Sequence, residues 1–393
     1  MRPLRVTSHS IVCATGAGQA SLAAALASGA SGLRPNDFGA SPLPTWIGRV
    51  DGLEQVRLPE AFAHVDCRNN RLAWLDLRTD GFLERALAAR DRYGAHRIAL
   101  VLGTSTSSIG ATEEAYARLT AGEFPAELRQ PVLHSPHSLS DFVRAVLGLG
   151  GIATTVATAC SSSAKVFAQA ERYVRLGLAD AAIVGGVDSL CGSVLYGFNS
   201  LELVSREPCR PFDVARAGIS LGEAGGFALL EKDGDAGPWL LGYGESSDAH
   251  HMSTPHPEGR GAELAMQGAL RLANVVPAAV DYINLHGTAS QKNDEVEARA
   301  VDRLFPATTH ASSTKGWTGH ALGAAGMVES AICWRALEDG LAPGTLNLTD
   351  PDPACGPQVR RETVRREVRH ALNNSFGFGG SNCSLLFARD RHD

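Results

Sequence analysis

Residues 157–166 read ATACSSSAKV, a run of small and hydroxyl side chains that leads directly into a helical pattern. The apolar positions Val166, Ala170 and Val174 recur at a spacing of four, which predicts a helix that begins just after Cys160. A thiol at a helix N-terminus feels the positive end of the helix dipole, which favours the nucleophilic thiolate. The alternative reading is a small buried hydrophobe, which is what most free cysteines are.

The chain repeats this arrangement further along. Residues 314–323 (TKGWTGHALG) again place a reactive side chain just before a helical pattern. Residues 101–107 (VLGTSTS) and 284–290 (NLHGTAS) are both strand ends followed by Gly-Thr and small residues. The repeat indicates two similar βα halves that divide near residue 240, and a chance match in a Gly- and Ala-rich sequence is the alternative.

Short apolar runs alternate with these helical patterns, which is typical of an α/β fold. The runs that predict buried strands are Arg97–Leu102, Ala181–Val184, Asp281–Leu285 and Ser384–Ala388.

Composition excludes several classes of function. The 393 residues are 44% apolar and 20% charged with a formal net charge of -6, which is typical of a soluble globular protein and not of a nucleic-acid binder. No run approaches the ~18 apolar residues of a membrane span. The eight cysteines form no CxxC pair and no zinc spacing, so we expect a reduced, cytoplasmic protein.

Two histidines occupy positions that suit chemistry. His286 follows a strand-like run, and strand ends are where ligand sites gather in α/β sheets, although a lone histidine there is more often structural. His320 precedes a helical pattern, where the dipole disfavours imidazolium and leaves a neutral donor. A thiolate and two such donors for a developing enolate suit acyl transfer, but spacing does not show that the three side chains converge.

Two other motifs give weaker indications of cofactors. Residues 15–20 (TGAGQA) resemble the start of a dinucleotide fingerprint, but the third glycine and an acidic partner are absent. His250, His251 and His256 cluster in a Pro-containing loop, where a solvated loop is the simpler interpretation than a metal site. We therefore expect no metal and no cofactor.

Taken in order, the motifs of this chain resemble those of the elongating β-ketoacyl-acyl carrier protein synthases, or ketosynthases, which have the thiolase fold. The resemblance covers nearly the whole chain. It is carried by VTSHSIVCATGAG (6–18), TACSSSA (158–164), AIVGGVDS (182–189), CRPFDVARAGISLGEAGG (209–226), DAHHMSTPHPEG (248–259), NLHGTASQKNDEVEA (284–298), STKGWTGHALGAAGMVES (313–330) and NNSFGFGGSN (373–382).

The resemblance implies a thiolase-like fold of two similar halves in an α-β-α-β-α arrangement of layers. Residues 1–240 would carry the nucleophile and residues 241–393 the two histidines. It implies that Cys160 accepts the acyl group and that His286 and His320 act in decarboxylation of a malonyl unit. Lys315 matches the lysine near the second histidine, and Glu329 matches the acidic residue on the following helix.

Substrate contacts are implied as well. Phe378 matches a gating residue whose backbone N–H joins that of Cys160 in an oxyanion hole. Thr288 and Ser290 match hydroxyls that bind the phosphopantetheine arm, and we expect a further contact from Phe376. The segment that contains Thr106 would reach the far end of the acyl tunnel and offer it polar side chains.

The implied partner is an acyl carrier protein, which is acidic in this family. Because this chain is net negative, its docking must use local arginines, for which Arg68, Arg71 and Arg206 are the candidates. The alternative is that these are ordinary solvated arginines. The resemblance also implies a homodimer, and a heterodimer with a ketosynthase-like subunit is the alternative.

Some positions depart from the family pattern. Residues 286–290 and 291–294 read HGTAS and QKND where HGTGT and PLGD are commoner, and GEAGG at 222–226 exchanges Gly and Ala. These departures resemble ketosynthases of specialised pathways such as aryl polyene synthesis. The implied reaction is the decarboxylative condensation of malonyl-carrier with a Cys160-bound acyl group in fatty acid, polyketide or aryl polyene synthesis. A thiolase-like or hydrolytic acyl transferase and a non-catalytic scaffold subunit are the alternatives.

Overall fold

The computed structural model describes residues 2–119, 122–123, 132–233 and 237–391. The strands within these ranges are β1 Leu4–Cys13, β2 Gly16–Ala17, β3 Leu33–Pro35, β4 Trp46–Gly48, β5 Ile98–Gly103, β6 Ala153–Val156, β7 Ala181–Asp188, β8 Leu221–Gly222, β9 Ala224–Glu231, β10 Trp239–Ser247, β11 Tyr282–Asn284, β12 His310–Ser312, β13 Leu341–Ala342, β14 Val364–Arg365, β15 His370–Gly377 and β16 Ser381–Ala388.

The α-helices are α1 Gln19–Ser28, α2 Arg68–Leu77, α3 Phe82–Tyr93, α4 Ile109–Ala117, α5 Ser138–Leu147, α6 Ser162–Arg175, α7 Gly192–Ser200, α8 Arg260–Ala273, α9 Gln291–Leu304, α10 Lys315–Thr318 and α11 Ala325–Asp339. None of the helices in the described ranges has the length and apolar character needed to cross a membrane.

All four strands predicted from apolar runs are present, as β5, β7, β11 and β16. Strands β5 and β7 are buried along their whole length and pair in parallel, which explains why their sequences are continuously apolar and not alternating. The helix predicted after Cys160 is α6, and the pattern after His320 becomes one short 3₁₀ turn followed by α11.

The main sheet contains eleven strands: two five-stranded runs with the same topology, and β2, which pairs with β1. The first run is ordered β6-β5-β7-β9-β1 and the second β12-β11-β15-β16-β10, so each follows its own strands in the order 3-2-4-5-1. Two residue pairs, Leu4 with Leu240 and Arg5 with Trp239, join the runs through β1 and β10. The two similar halves are therefore confirmed, while the division of the chain at residue 240 stays a prediction.

Helices cover both faces of each run. Helices α2, α3 and α5 pack on one side of the first run, and α8 and α9 pack on the far side of the second. Helices α6 and α11 lie between the runs and contact strands of both. This is the expected α-β-α-β-α arrangement, and its central layer holds an aromatic cluster in which Trp334 packs edge-on against Phe167 and Phe387.

The two central helices meet at their N-termini, close to Cys160 and His320. A Cβ added to Gly326 of α11 would lie 2.7 Å from the backbone nitrogen of Ala164 in α6, so a larger residue has no room there. The backbone N–H of Met327 also donates to Ser163 Oγ at 2.9 Å. The small residues of this segment thus permit the close backbone approach that its sequence predicts.

Candidate active site

Cys160 lies in a sharp turn between β6 and α6. The residue before it, Ala159, has a positive φ of 52°, a conformation that costs an L-residue free energy. Local hydrogen bonds hold the turn, since Ser162 Oγ donates to Ala159 O at 2.6 Å and accepts from Thr158 N at 2.9 Å. The turn presents the Cys160 thiol, which is only 4% exposed, to an internal cavity.

His286 and His320 approach the thiol from the second half of the chain. His286 follows β11, and His320 follows α10, where its backbone N–H donates to Ser220 O at 2.7 Å. His320 Nε2 lies 3.0 Å from Cys160 Sγ, and the two imidazole centroids are 5.4 Å apart. The sulfur and one nitrogen of each ring all lie within 4.8 Å of one another, so the three side chains converge.

Lys315 and Glu329 form a buried ion pair next to this trio. Lys315 Nζ contacts Glu329 Oε1 and also donates to the backbone carbonyl of His286. Burial raises the pKa of Glu329 to about 7, against the attraction of the Lys315 charge. The lysine thereby fixes the His286 segment and places a positive charge beside both imidazoles.

Both imidazoles are neutral. Burial, followed by the charge of Lys315, holds the pKa of His286 and the pKa of His320 well below their ordinary value. Within the described residues, Nδ1 of each ring has no hydrogen-bond partner, so no carboxylate orients either ring as a strong base. The expectation of neutral imidazole donors therefore fits this geometry.

The resting thiol is neutral too, which corrects the expectation that the helix start favours thiolate. Burial raises the pKa of Cys160 to about 11, although the charge of Lys315 and the backbone N–H of Phe378 act in the opposite direction. Desolvation of a fully buried thiolate outweighs the helix dipole here. At pH 7 the site consists of a thiol and two neutral imidazoles.

The cavity around the trio has a volume of about 320 Å³. Its wall includes residues from both halves of the chain, among them the predicted substrate contacts Thr288, Ser290, Phe376 and Phe378. The Phe378 ring packs against Phe198 of α7 at 5.5 Å, and the Phe376 ring lies 6.0 Å from that of His286. An acyl thioester that entered this cavity would meet the Cys160 thiol at its base.

Comparison with known proteins agrees with this geometry. Residues 67–236 match the family described as beta-ketoacyl synthase, N-terminal domain, and residues 239–349 match its C-terminal domain. The 3-oxoacyl-[acyl-carrier-protein] synthase 2 of Coxiella burnetii is 32% identical over 93% of this chain and 93% of that protein. The chain belongs to the β-ketoacyl synthase family. It is an acyl-transferring condensing enzyme.

Two further proteins are similar to this synthase. The mitochondrial 3-oxoacyl-[acyl-carrier-protein] synthase of Arabidopsis thaliana is 40% identical over 61% of this chain, and the match spans 57% of that protein's length. The solved ketosynthase ApeO of Xenorhabdus doucetiae, in complex with its chain length factor ApeC, superposes with a TM-score of 0.89. It is 34% identical, and the match covers 99% of this chain and 98% of that one.

The loop histidines of the synthase are separate from the trio. His250 and His256 lie with ring centroids 5.3 Å apart, and His251 Nδ1 accepts from Ser253 N at 3.2 Å. Among the described residues, the one group of three metal-type side chains with converging atoms is Cys160, His286 and His320. The solvated loop stays the interpretation of the histidine cluster.

Thr106 lies outside the cavity that surrounds Cys160. It is buried, and its hydroxyl donates to Asp188 Oδ1 at 2.6 Å. Thr104 Oγ1 and the backbone N–H groups of Ser105 and Thr106 donate to the same carboxylate. Asp188 therefore accepts from both threonine hydroxyls, while the position of Thr106 at the far end of an acyl tunnel stays a prediction.

Two of the three proposed docking arginines are held in ion pairs within the chain. Arg68 donates two hydrogen bonds to the fully buried carboxylate of Glu223, at 2.8 and 2.6 Å. Arg71 forms a bidentate pair with Asp66 at 2.7 and 2.6 Å. These pairings favour a structural role for both. Arg206 is exposed, and its side chain has no partner in the described part of the chain, so it stays a docking candidate.

Glu297, which was not predicted from the sequence, positions His286. Glu297 Oε1 accepts from the backbone N–H of His286 and Oε2 from that of Gly287, both at 2.8 Å. Asn374 Nδ2 donates to Oε1 as well, at 3.2 Å. The available signal was an acidic residue on the apolar side of α9, one turn beyond Asp294, where a charged side chain needs buried partners.

Proposed function

We propose that this synthase catalyses the decarboxylative Claisen condensation of a malonyl group with an acyl group held on Cys160, both supplied by acyl carrier protein. The observation that carries the proposal is the convergence of Cys160, His286 and His320 at the base of one cavity. A nucleophile and two neutral donors within 4.8 Å are the groups that this reaction requires.

In the loading half-reaction, Cys160 Sγ attacks the thioester carbonyl of the acyl carrier. Because the thiol is protonated at rest, its proton must leave as the carbon–sulfur bond forms, and His320 Nε2 at 3.0 Å accepts it. The backbone N–H groups of Cys160 and Phe378 hold the tetrahedral oxyanion. Its collapse expels the phosphopantetheine thiolate, which takes up the proton from His320.

In the condensing half-reaction, the malonyl carbon–carbon bond breaks and carbon dioxide leaves with no change of oxidation state at the site. The electron pair remains as an enolate, whose oxygen accepts hydrogen bonds from His286 and from His320, whose ring has by then exchanged its Nδ1 proton for one on Nε2. The enolate carbon attacks the acyl-enzyme carbonyl, a new carbon–carbon bond forms as the bond from the carbonyl to Sγ breaks, and the released Cys160 thiolate takes up one proton from solvent. Neutral imidazoles suit this step because they donate a hydrogen bond to the enolate without protonating its carbon.

Lys315 and Glu329 act as positioning residues in this proposal. Their ion pair is buried, so removal of one partner leaves an uncompensated charge beside the His286 carbonyl. Thr288 and Ser290 bind the phosphopantetheine arm along the cavity wall, and Phe376 contacts the substrate. In this proposal, residues 1–240 form the half that carries the nucleophile. Residues 241–393 form the half that carries the two histidines.

The likeness to ApeO with its chain length factor supports a specialised pathway of the aryl polyene type and a ketosynthase-like partner subunit. A homodimer is the simpler alternative. All eight cysteines are free thiols, which supports a reduced cytoplasmic location.

The reaction is tested by supplying purified enzyme with acyl-carrier and malonyl-carrier labelled in the free carboxyl group. We expect labelled carbon dioxide and a 3-oxoacyl-carrier product in equal amounts from the wild-type enzyme, and no 3-oxoacyl-carrier product from Cys160→Ala. Release of free fatty acid without carbon dioxide would indicate a hydrolytic acyl transferase. Condensation that survives Cys160→Ala would contradict the proposal, and a protein that binds a ketosynthase but never accepts acyl groups would be a scaffold subunit.

A further inference from the structure

One wall of the cavity is a single segment that leads from the reactive centre to the surface. Burial decreases along it, from His286 at 2% exposed and Thr288 at 7% to a half-buried Ser290 and an exposed Lys292. All four of these residues line the cavity. The segment therefore marks the route of an arm that reaches from the mouth to the thiol, and Lys292 stands at its outer end.

The charge of Lys292 is only loosely compensated. Its Nζ lies 3.5 Å from Glu295 Oε2, and its side chain is 70% exposed. Glu295 is already paired with Arg299, whose Nη2 lies 2.8 Å from Oε1. Among the described residues that line the cavity, Lys292 is the one lysine or arginine.

Two acidic residues, Asp248 and Glu202, line the cavity together with Lys292. Asp248 is engaged, since it accepts from Asn382 Nδ2 at 2.8 Å and from the backbone N–H of His256 at 3.0 Å. Glu202 is exposed on the loop that follows α7. The mouth therefore offers an anion one accessible ammonium group, on the same segment as the Thr288 and Ser290 hydroxyls.

We propose that Lys292 binds the phosphodiester of the phosphopantetheine arm, an inference that rests on the proposed function. A carrier-bound arm enters with its thioester first, so its phosphodiester remains at the mouth while the thioester reaches Cys160. A lysine is a common point-charge ligand for phosphate. The commoner family motif PLGD has leucine at this position, so this contact would distinguish the present synthase from many of its relatives.

The test compares three acyl donors: acyl-carrier protein, acyl-phosphopantetheine, and the acyl thioester of N-acetylcysteamine, which lacks the phosphate. We expect Lys292→Gln to raise the KM for the two phosphate-bearing donors roughly three- to fivefold relative to that for the N-acetylcysteamine thioester, the range of an exposed ion pair. The difference should shrink as salt is raised, because exposed charges are screened. Lys292→Arg should restore most of the affinity.

Lys232→Gln serves as the matched control, because Lys232 is also a partly exposed lysine paired with a carboxylate, Asp180, and does not line the cavity. A KM that rises for acyl-carrier alone would place the anion on the carrier surface and overturn the phosphate assignment, as would an unchanged KM for all three donors. Failure of the proposed function is distinguishable, since wild-type enzyme would then transfer the acyl group from none of the donors.

Discussion

The protonation state of Cys160 determines how fast its thiol reacts with alkylating reagents and with acyl thioesters. Its pKa of about 11 lies well above neutral pH. At any pH below that value, the thiolate fraction increases about tenfold for each unit by which the pH is raised. Because the thiolate is the nucleophile, reactivity follows this fraction. We expect the rate of iodoacetamide alkylation of the peptide that contains Cys160 to rise about tenfold per unit from about pH 6.5 to 9.5. A plateau near pH 7 would show that the thiol is already ionised.

The two histidines should differ in their contribution to loading. From the sequence, both act in decarboxylation, but only His320 is hydrogen-bonded to the sulfur. We expect His320→Ala to slow single-turnover acylation by about 10²–10⁴, whereas His286→Ala should load at near the wild-type rate. Both variants should lose about 10²–10³ in malonyl decarboxylation. Equal loading defects in the two variants, measured by intact mass over time, would contradict a separate role for His320.

At the scale of elements, helix α9 positions the backbone of His286 and Gly287 through the Glu297 carboxylate. Replacing this carboxylate by an amide leaves one of the two buried N–H groups of residues 286 and 287 facing another donor, which costs about 1–3 kcal/mol. We expect Glu297→Gln to lower the unfolding temperature and to reduce condensation far more than loading, because His286 is displaced and Cys160 is not.

Glu295→Gln is the control for this prediction, since Glu295 lies on the same helix but is partly exposed. Its unfolding temperature should stay near that of the wild type. If Glu297→Gln reduced loading and condensation in the same proportion, Glu297 would be a general structural residue and not one that positions His286.

The segment after β5 should affect stability and not chain length. Thr106 donates to a buried carboxylate, so Thr106→Ile removes a donor from Asp188 and adds volume to a packed region. We expect a loss of about 1–3 kcal/mol in unfolding free energy, while Thr106→Ser should be close to wild type. Shorter products from a Thr106→Ile enzyme of wild-type stability would instead show that Thr106 lies at the end of the acyl tunnel and limits the chain length.

The strands and central helices could be predicted because their signals are local. The apolar runs at β5 and β7 and the helical period after Cys160 each lie within one window of sequence. Long-range pairing carries no such signal: Arg68 meets Glu223 across 155 positions, and its sequence alone suggests a free surface cation. The raised pKa of Cys160 was unpredictable for the same reason, since burial depends on the closure of the whole cavity.

At the scale of the whole molecule, the first run of strands ends in an open edge. Within the described residues, β6 pairs only with β5. Helices α4 and α7 contact each other and carry exposed apolar side chains, including Ile109 at 37% and Tyr196 at 51%. Open strand edges and apolar patches favour association with another chain.

We therefore expect the enzyme to behave as a dimer. Light scattering at micromolar concentration should give the mass of two chains, either of this enzyme alone or of a complex with a co-expressed ketosynthase-like subunit. A stable monomer that remains active in condensation would contradict this expectation.

The central claim is that Cys160 carries the acyl group. The most direct test is peptide mass mapping of the enzyme after exposure to a panel of acyl-carrier thioesters. We expect the added acyl mass on the peptide that contains Cys160, on none of the other seven cysteine peptides, and nowhere in Cys160→Ala. An acyl group found on any other residue, or retained at an undiminished level in Cys160→Ala, would contradict it.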